Sequence, residues 1–181
     1  MNNTMGQRTN LLLQIEGRTG ARLNRAYHLQ WGYRKKLPMV FLHLLSSRYF
    51  RPDGDDIFKA FTDVLNLNGI NPLACRDWSK YDFNKLEDCQ EALGHCDNNN
   101  GAMVVIVKEH KDEYTYPNFN IGFLLGPESL KGDSAYSHWV TTEEFMQHQP
   151  QYDEKYDDIF ARAFDALTSL SGTMHIVQQL S

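Results

Sequence analysis

The sequence predicts an α/β domain, a three-layer sandwich in which helices cover both faces of a largely parallel sheet. Three observations lead there: nearly unbroken apolar runs at 38–45 and 102–107, amphipathic helical patterns between them, and a strand, helix, strand, helix, strand rhythm. Strands apolar on both faces suit a buried parallel sheet, and parallel neighbours need a crossover, which a helix supplies. A chain of 181 residues has room for one such core.

The chain divides by charge. Residues 1–36 hold Arg8, Arg18, Arg22, Arg25, Arg34, Lys35 and Lys36 against Glu16 alone, a net +6, which leaves −11 on residues 37–181 for the chain total of −5. This predicts a basic N-terminal arm ahead of a single α/β domain at 37–181. Within the arm, Leu23, Tyr27 and Trp31 stand four apart, a faint helical pattern bounded by Gly17, Gly20 and Gly32. Docking of the arm on the acidic body, or on a sister subunit in a homo-oligomer, accounts for the asymmetry. Nucleic-acid binding through 18–36, with Tyr27, Trp31 and Tyr33 as stacking faces, is the other reading; the acidic body would repel a polyanion arriving along the same surface.

The remaining elements follow in order. Residues 37–45 (LPMVFLHLL) predict the first strand, with His43 as a core histidine, and 55–66 predict a helix through the stripe Ile57, Phe58, Phe61, Val64 and Leu65, closed by Asn68 and Gly69. Residues 70–75 (INPLAC) predict a short strand that Pro72 consigns to an edge or to a strand start. A second helix is expected over 82–93, where Phe83, Leu86, Gln90 and Leu93 share a face, and residues 97–101 form a loop. AMVVIV at 102–107 is the clearest buried strand, and 108–117 is charged and expected to be exposed. Residues 118–126 (NFNIGFLLG) read as a short helix or a strand and turn, 152–170 as a helix, and 174–180 as a final strand.

Composition also excludes. The apolar runs are too short to cross a bilayer and the polar start lacks a secretory pattern, so membrane and secreted roles fall away and a cytoplasmic location is expected. Cys75, Cys89 and Cys96 are odd in number and scattered, which predicts reduced thiols. Cys89, His95 and Cys96 lack the two-and-two pairing of tetrahedral zinc sites, so no metal is expected.

Ligands of open parallel sheets bind outside the carboxyl ends of the strands. Ser46, Ser47 and Arg48, after the first predicted strand, offer hydroxyl, guanidinium and backbone donors to a phosphate, though no phosphate-loop or dinucleotide fingerprint accompanies them. Trp78 and Tyr81 follow the second strand, where they either stack on a nucleobase or pack in the core or rim. Glu87 and Glu91 stand on consecutive helical turns, as solvated acids or as carboxylates covered by a cleft.

The order MVFLHLLSS, a helix ending LNLNGI, a short strand, RDWSKYDFNKLEDCQEAL and AMVVIVKEH resembles a TIR domain and its relatives, the SEFIR domains and the nucleoside deoxyribosyltransferases, over residues 38–126. The resemblance implies a flavodoxin-like or TIR-like sandwich that binds NAD or a related nucleotide as substrate or ligand, with no resident cofactor. In TIR-type NAD-cleaving hydrolases a glutamate on the helix after the second strand is catalytic, which points to Glu87, or failing that Glu91, orienting the ribose as nicotinamide leaves. PNFNIGFLLG resembles the asparagine-then-acid segment of the deoxyribosyltransferases, implicating Asn118 and Asn120, but Asn120 stands where those enzymes carry the acid, and an amide cannot serve as a carboxylate nucleophile. That departure favours a non-catalytic nucleotide sensor. The tryptophan of RDW resembles SEFIR signalling domains and implies self-association. A caspase-like order with His110 lacks the cysteine motif that would follow it.

Overall fold

The run Leu11, Leu12, Leu13 and Ile15 is wholly buried, and it forms the middle of the sheet rather than part of an arm. A computed structural model of the chain describes residues 8–30, 71–73, 76–96, 101–111, 118–126, 137–141, 144–145 and 174–176. Strand β1, Arg8–Glu16, pairs antiparallel with β2, Arg22–Gln30, in register from Arg8 against Gln30 to Glu16 against Arg22. The turn between them needs a left-handed residue, which Gly20 provides at φ +82°.

This corrects the expectation of a basic arm with a helical pattern. Residues 8–30 are two strands of the same sheet as the rest of the described chain. The reason is periodicity: a spacing of four is also a multiple of two, so Leu23 and Tyr27 share a strand face as readily as a helix face. The expected elements at 37–45, 55–66 and 152–170 lie outside the described residues.

Four further strands complete the sheet among the described residues: β3, Asn71–Pro72; β4, Ala102–Lys108; β5, Asn118–Leu124; and β6, Met174–Ile176. Their order is β3-β2-β1-β4-β5-β6. Pairing is parallel at β1 with β4 and at β5 with β6, and antiparallel at β1 with β2, β2 with β3 and β4 with β5. The sheet is therefore mixed, not largely parallel. Two strand pairs consecutive in the chain, β1 with β2 and β4 with β5, fold back on themselves, and one parallel seam joins them. Pro72 does sit at the sheet's edge, where a residue without an N–H is tolerated.

Among the described residues one helix, α1, Leu86–Gly94, covers one face. It buries Cys89, Ala92 and Leu93, at the three-and-four spacing of a single stripe, against Leu12, Ala26, Val104, Ile106 and Leu124 of the sheet. Nine residues make a helix too short to hold in water alone, so this packing is what sustains it. The helix starts later than the expected 82–93, with Lys85 at its N-cap and Asp82 bonded in the turn ahead of it.

A short 3-10 turn, Trp78–Lys80, precedes α1 and buries Trp78 beside Tyr81 and Phe83. Asn24 of β2 fastens that segment to the sheet by donating to the carbonyls of Trp78 and Tyr81. The opposite face is equally dry: Leu11, Leu13, Ile15, Tyr27, Val105, Val107 and Ile121 are fully buried, and Phe145 packs on Phe123 with ring centres 4.6 Å apart. Burial on both faces explains the unbroken apolar runs Leu11 to Leu13 of β1 and Ala102 to Val107 of β4.

Candidate functional site at the carboxyl ends of β1 and β4

At the carboxyl ends of the two parallel central strands the chain leaves in opposite directions. After Glu16 it turns back into β2 on one side, and after Lys108 it proceeds to β5 on the other. Such a divergence is where open sheets place their ligands.

Polar residues crowd this end on the face that carries α1. Register sets Asn118, Lys108, Glu16 and Arg22 in one row across β5, β4, β1 and β2, and Asn120, Ile106, Gln14 and Asn24 in the row behind it. The segment before α1 adds two more groups. Gln14 accepts from the Phe83 N–H at 2.9 Å and donates through Nε2 to Glu16 Oε1 at 2.9 Å and Asp82 Oδ1 at 3.3 Å. Asn84 Nδ2 donates to Asp82 Oδ1 at 2.9 Å and reaches Glu16 Oε1 at 3.4 Å. Two amides thus hold two carboxylates side by side. Asp88, in the first turn of α1, accepts from the Asp82 N–H at 2.7 Å.

The surroundings of Asp82 favour its ionised form. Partial burial works to raise the Asp82 carboxyl, but hydrogen bonds from the Asn84 side chain and backbone and from Gln14, with the nearby Arg22 charge, hold it below the usual carboxylate range. Lys108 Nζ lies 3.6 Å from Glu16 Oε2. Beyond the seam, Glu109 takes the Arg18 backbone N–H at 3.0 Å and lies 2.9 Å from its Nε.

The structure distributes the expected site residues unevenly. Asn118 and Asn120 fall in the two polar rows. Glu87 is exposed on the first turn of α1, at the same end as the rows, while Glu91 one turn on accepts from Tyr81 Oη at 3.2 Å and lies 3.7 Å from Lys80 Nζ. Of the two readings of Trp78 and Tyr81, the structure gives core packing: each is 3% exposed, and Trp78 Nε1 is spent on the Leu73 carbonyl at 2.8 Å, so neither offers a face to a base. Ser46, Ser47 and Arg48 lie outside the described residues.

Gln14, Glu16, Asp82, Asn84, Lys108 and the Arg18 and Glu109 pair were not singled out from the sequence. The signal that marks them is Gln14 and Glu16 interrupting an apolar strand just before a glycine turn, which is visible only once 8–16 is recognised as a strand. Among the described residues no group of three or more histidine, cysteine or acidic side chains is arranged to hold a metal ion. The Cys89 thiol is buried, donates to the Phe83 carbonyl at 3.3 Å and is pushed up by burial and by nearby Asp88, Asp82 and Glu87, so it is no nucleophile. No helix among the described residues is long and apolar enough to cross a membrane. Comparison with protein-family models, with curated proteins and with solved structures returns no match.

Proposed function

We propose that this chain is a nucleotide-binding domain, TIR-like in arrangement, whose ligand lies along the carboxyl ends of β1 and β4. The observation that carries this is the row of Lys108, Glu16 and Arg22 at the point where the two central connections part. Paired carboxylate and amide groups suit the vicinal hydroxyls of a ribose, and the flanking cations suit its phosphates. A three-layer sandwich around this mixed sheet, the cytoplasmic location and self-association into a homo-oligomer, including SEFIR-like signalling by contact, belong to the same proposal.

A second reading adds chemistry. Glu87 is solvent-facing at the rim end of α1, whereas Glu91 is engaged by Lys80 and Tyr81, so Glu87 is the better of the two to meet a substrate. In this reading NAD and water give nicotinamide, ADP-ribose and a proton. The bond between the ribose anomeric carbon and the ring nitrogen breaks with its electrons leaving on nicotinamide, and Glu87 stabilises the positive charge that develops on the sugar.

One experiment separates the two. Purified protein is titrated with a panel of nucleotides by thermal shift and incubated with NAD while free nicotinamide is followed. A ligand at about 100 times its dissociation constant adds roughly 2.7 kcal/mol of stability. A shift without nicotinamide release supports the sensor, release that Glu87→Gln abolishes and Glu91→Gln spares supports the hydrolase, and a flat panel removes both.

A further inference from the structure

We propose that the turn at 17–21 is a strap over the seam between β1 and β4, latched by Glu109, and that a phosphoryl group competes with Glu109 for Arg18. The nucleotide reading above underlies the identity of the ligand, but not the latch itself.

The strap is bonded within itself at its base, Gly17 N–H to the Ala21 carbonyl at 2.8 Å and Gly20 N–H to the Gly17 carbonyl at 2.9 Å. Its attachment to β4 is a different matter. The parallel ladder ends with Glu109 N–H donating to the Glu16 carbonyl at 2.8 Å, and directly beyond that bond the Glu109 carboxylate turns to grip the strap. One of its oxygens takes the Arg18 backbone N–H and the other lies against the Arg18 guanidinium. Backbone and side chain of one residue are thus held by one carboxylate.

Position gives this contact its consequence. It joins the connections that leave β1 and β4 at their carboxyl ends, within two residues of Glu16 and Lys108 of the polar row. The pair is largely covered, with side-chain exposures of 29% and 15%, and is screened less than an ion pair in open water. A carboxylate and a phosphoryl group present oxygens of like charge to the same guanidinium fork, so an arriving phosphate is a chemical substitute for Glu109. Among the described residues no atom lies within 4 Å of where a Cβ on Gly20 would stand.

Limited trypsin digestion reads the latch without any ligand. The bond after Arg18 lies in the strap, and the bond after Arg22, inside the β1 and β2 ladder, is the internal reference. Fragments are assigned by mass. Glu109→Gln should cut after Arg18 about five times faster than the parent chain, the factor that a partly exposed ion pair of this kind commands, with cutting after Arg22 unchanged. Equal rates after Arg18 overturn the latch. Cutting that rises at both sites reports general unfolding and also overturns it, and Arg18→Lys, which keeps charge and backbone N–H but loses the fork, guards against misreading a damaged fold.

Calorimetric titration with inorganic pyrophosphate then reads the competition. Glu109→Gln should bind about fivefold more tightly than the parent chain and Arg18→Lys more weakly. Unchanged affinity in Glu109→Gln removes the competition while leaving the nucleotide reading intact. Absence of pyrophosphate binding in both proteins removes the competition, and the nucleotide panel decides the other reading independently.

Discussion

Gly122 of β5 is a glycine because Trp139 lies on it: a Cβ added there would land inside the indole ring. Trp139 packs against the same cluster as α1, and the segment that carries it is tied down by Ser137, whose hydroxyl accepts from Leu125 N–H at 2.8 Å and whose carbonyl accepts from Gln90 Nε2 at 3.2 Å. The ring has little freedom to retreat. Gly122→Ala is therefore expected to cost about 1–3 kcal/mol, the usual penalty for overpacking, measured as a lowered midpoint in urea unfolding with an unchanged slope. Asp82 makes a prediction in pH. Its folded-state carboxyl lies below the ordinary 3.8, so the ionised form is favoured by folding; that stability is present above the ordinary value and disappears as pH falls through the lower folded one. Asp82→Asn should lose this dependence, and urea midpoints compared at pH 5 and in more acid solution, below about pH 4, should fall less for the variant than for the parent chain.

Elements differed in how openly the sequence announced them. AMVVIV is legible at sight as β4, since a strand buried on both faces leaves no alternation to misread, and α1 is legible through the stripe Phe83, Leu86, Gln90 and Leu93, although the helix begins at Leu86 and buries Cys89, Ala92 and Leu93. β3 was legible for a negative reason, Pro72, which a central strand cannot hold. β1 is harder to read than β4, because Thr9, Asn10, Gln14 and Glu16 break its apolar run and seven basic residues within 1–36 mark the segment by charge, which says nothing about pleat. In β2 the spacing of Leu23 and Tyr27 suits either period, and only the burial of Ala26, Tyr27 and Leu29 resolves it. The site suffered most from this. Carboxylates and amides contributed by 14–22, 82–84 and 108–109 converge only through the parallel register of β1 with β4, and pairing register is not written in local sequence. Trp78 and Tyr81 allow two readings in the sequence, because aromatic residues near a strand end serve the core as readily as a ligand, and their burial decides between them.

For the whole molecule the change of greatest weight is that residues 8–30 hold the described sheet together. β1 is paired on both sides, with β2 and β4, and Leu11, Leu12, Leu13 and Ile15 supply core on both faces. Removal of residues 1–30 takes away a central strand together with its neighbour, leaving the β4 edge bare and both faces short of apolar contact. The truncated chain is expected to lose its cooperative thermal transition and to aggregate, whereas a dispensable arm would leave the melting profile unchanged; circular dichroism with light scattering distinguishes the two.

The parallel seam also has a history in time. Leu12 is matched to Val104, about 90 residues later in the chain, and at about 5–20 residues per second a ribosome needs roughly 5 to 20 seconds to deliver that partner. Until then the nascent β1 and β2 ribbon exists with its inner edge unpaired and two greasy faces open to water. Production of this protein in cells should therefore depend on how well chaperones shield its first thirty residues during synthesis, more than on anything that happens after release.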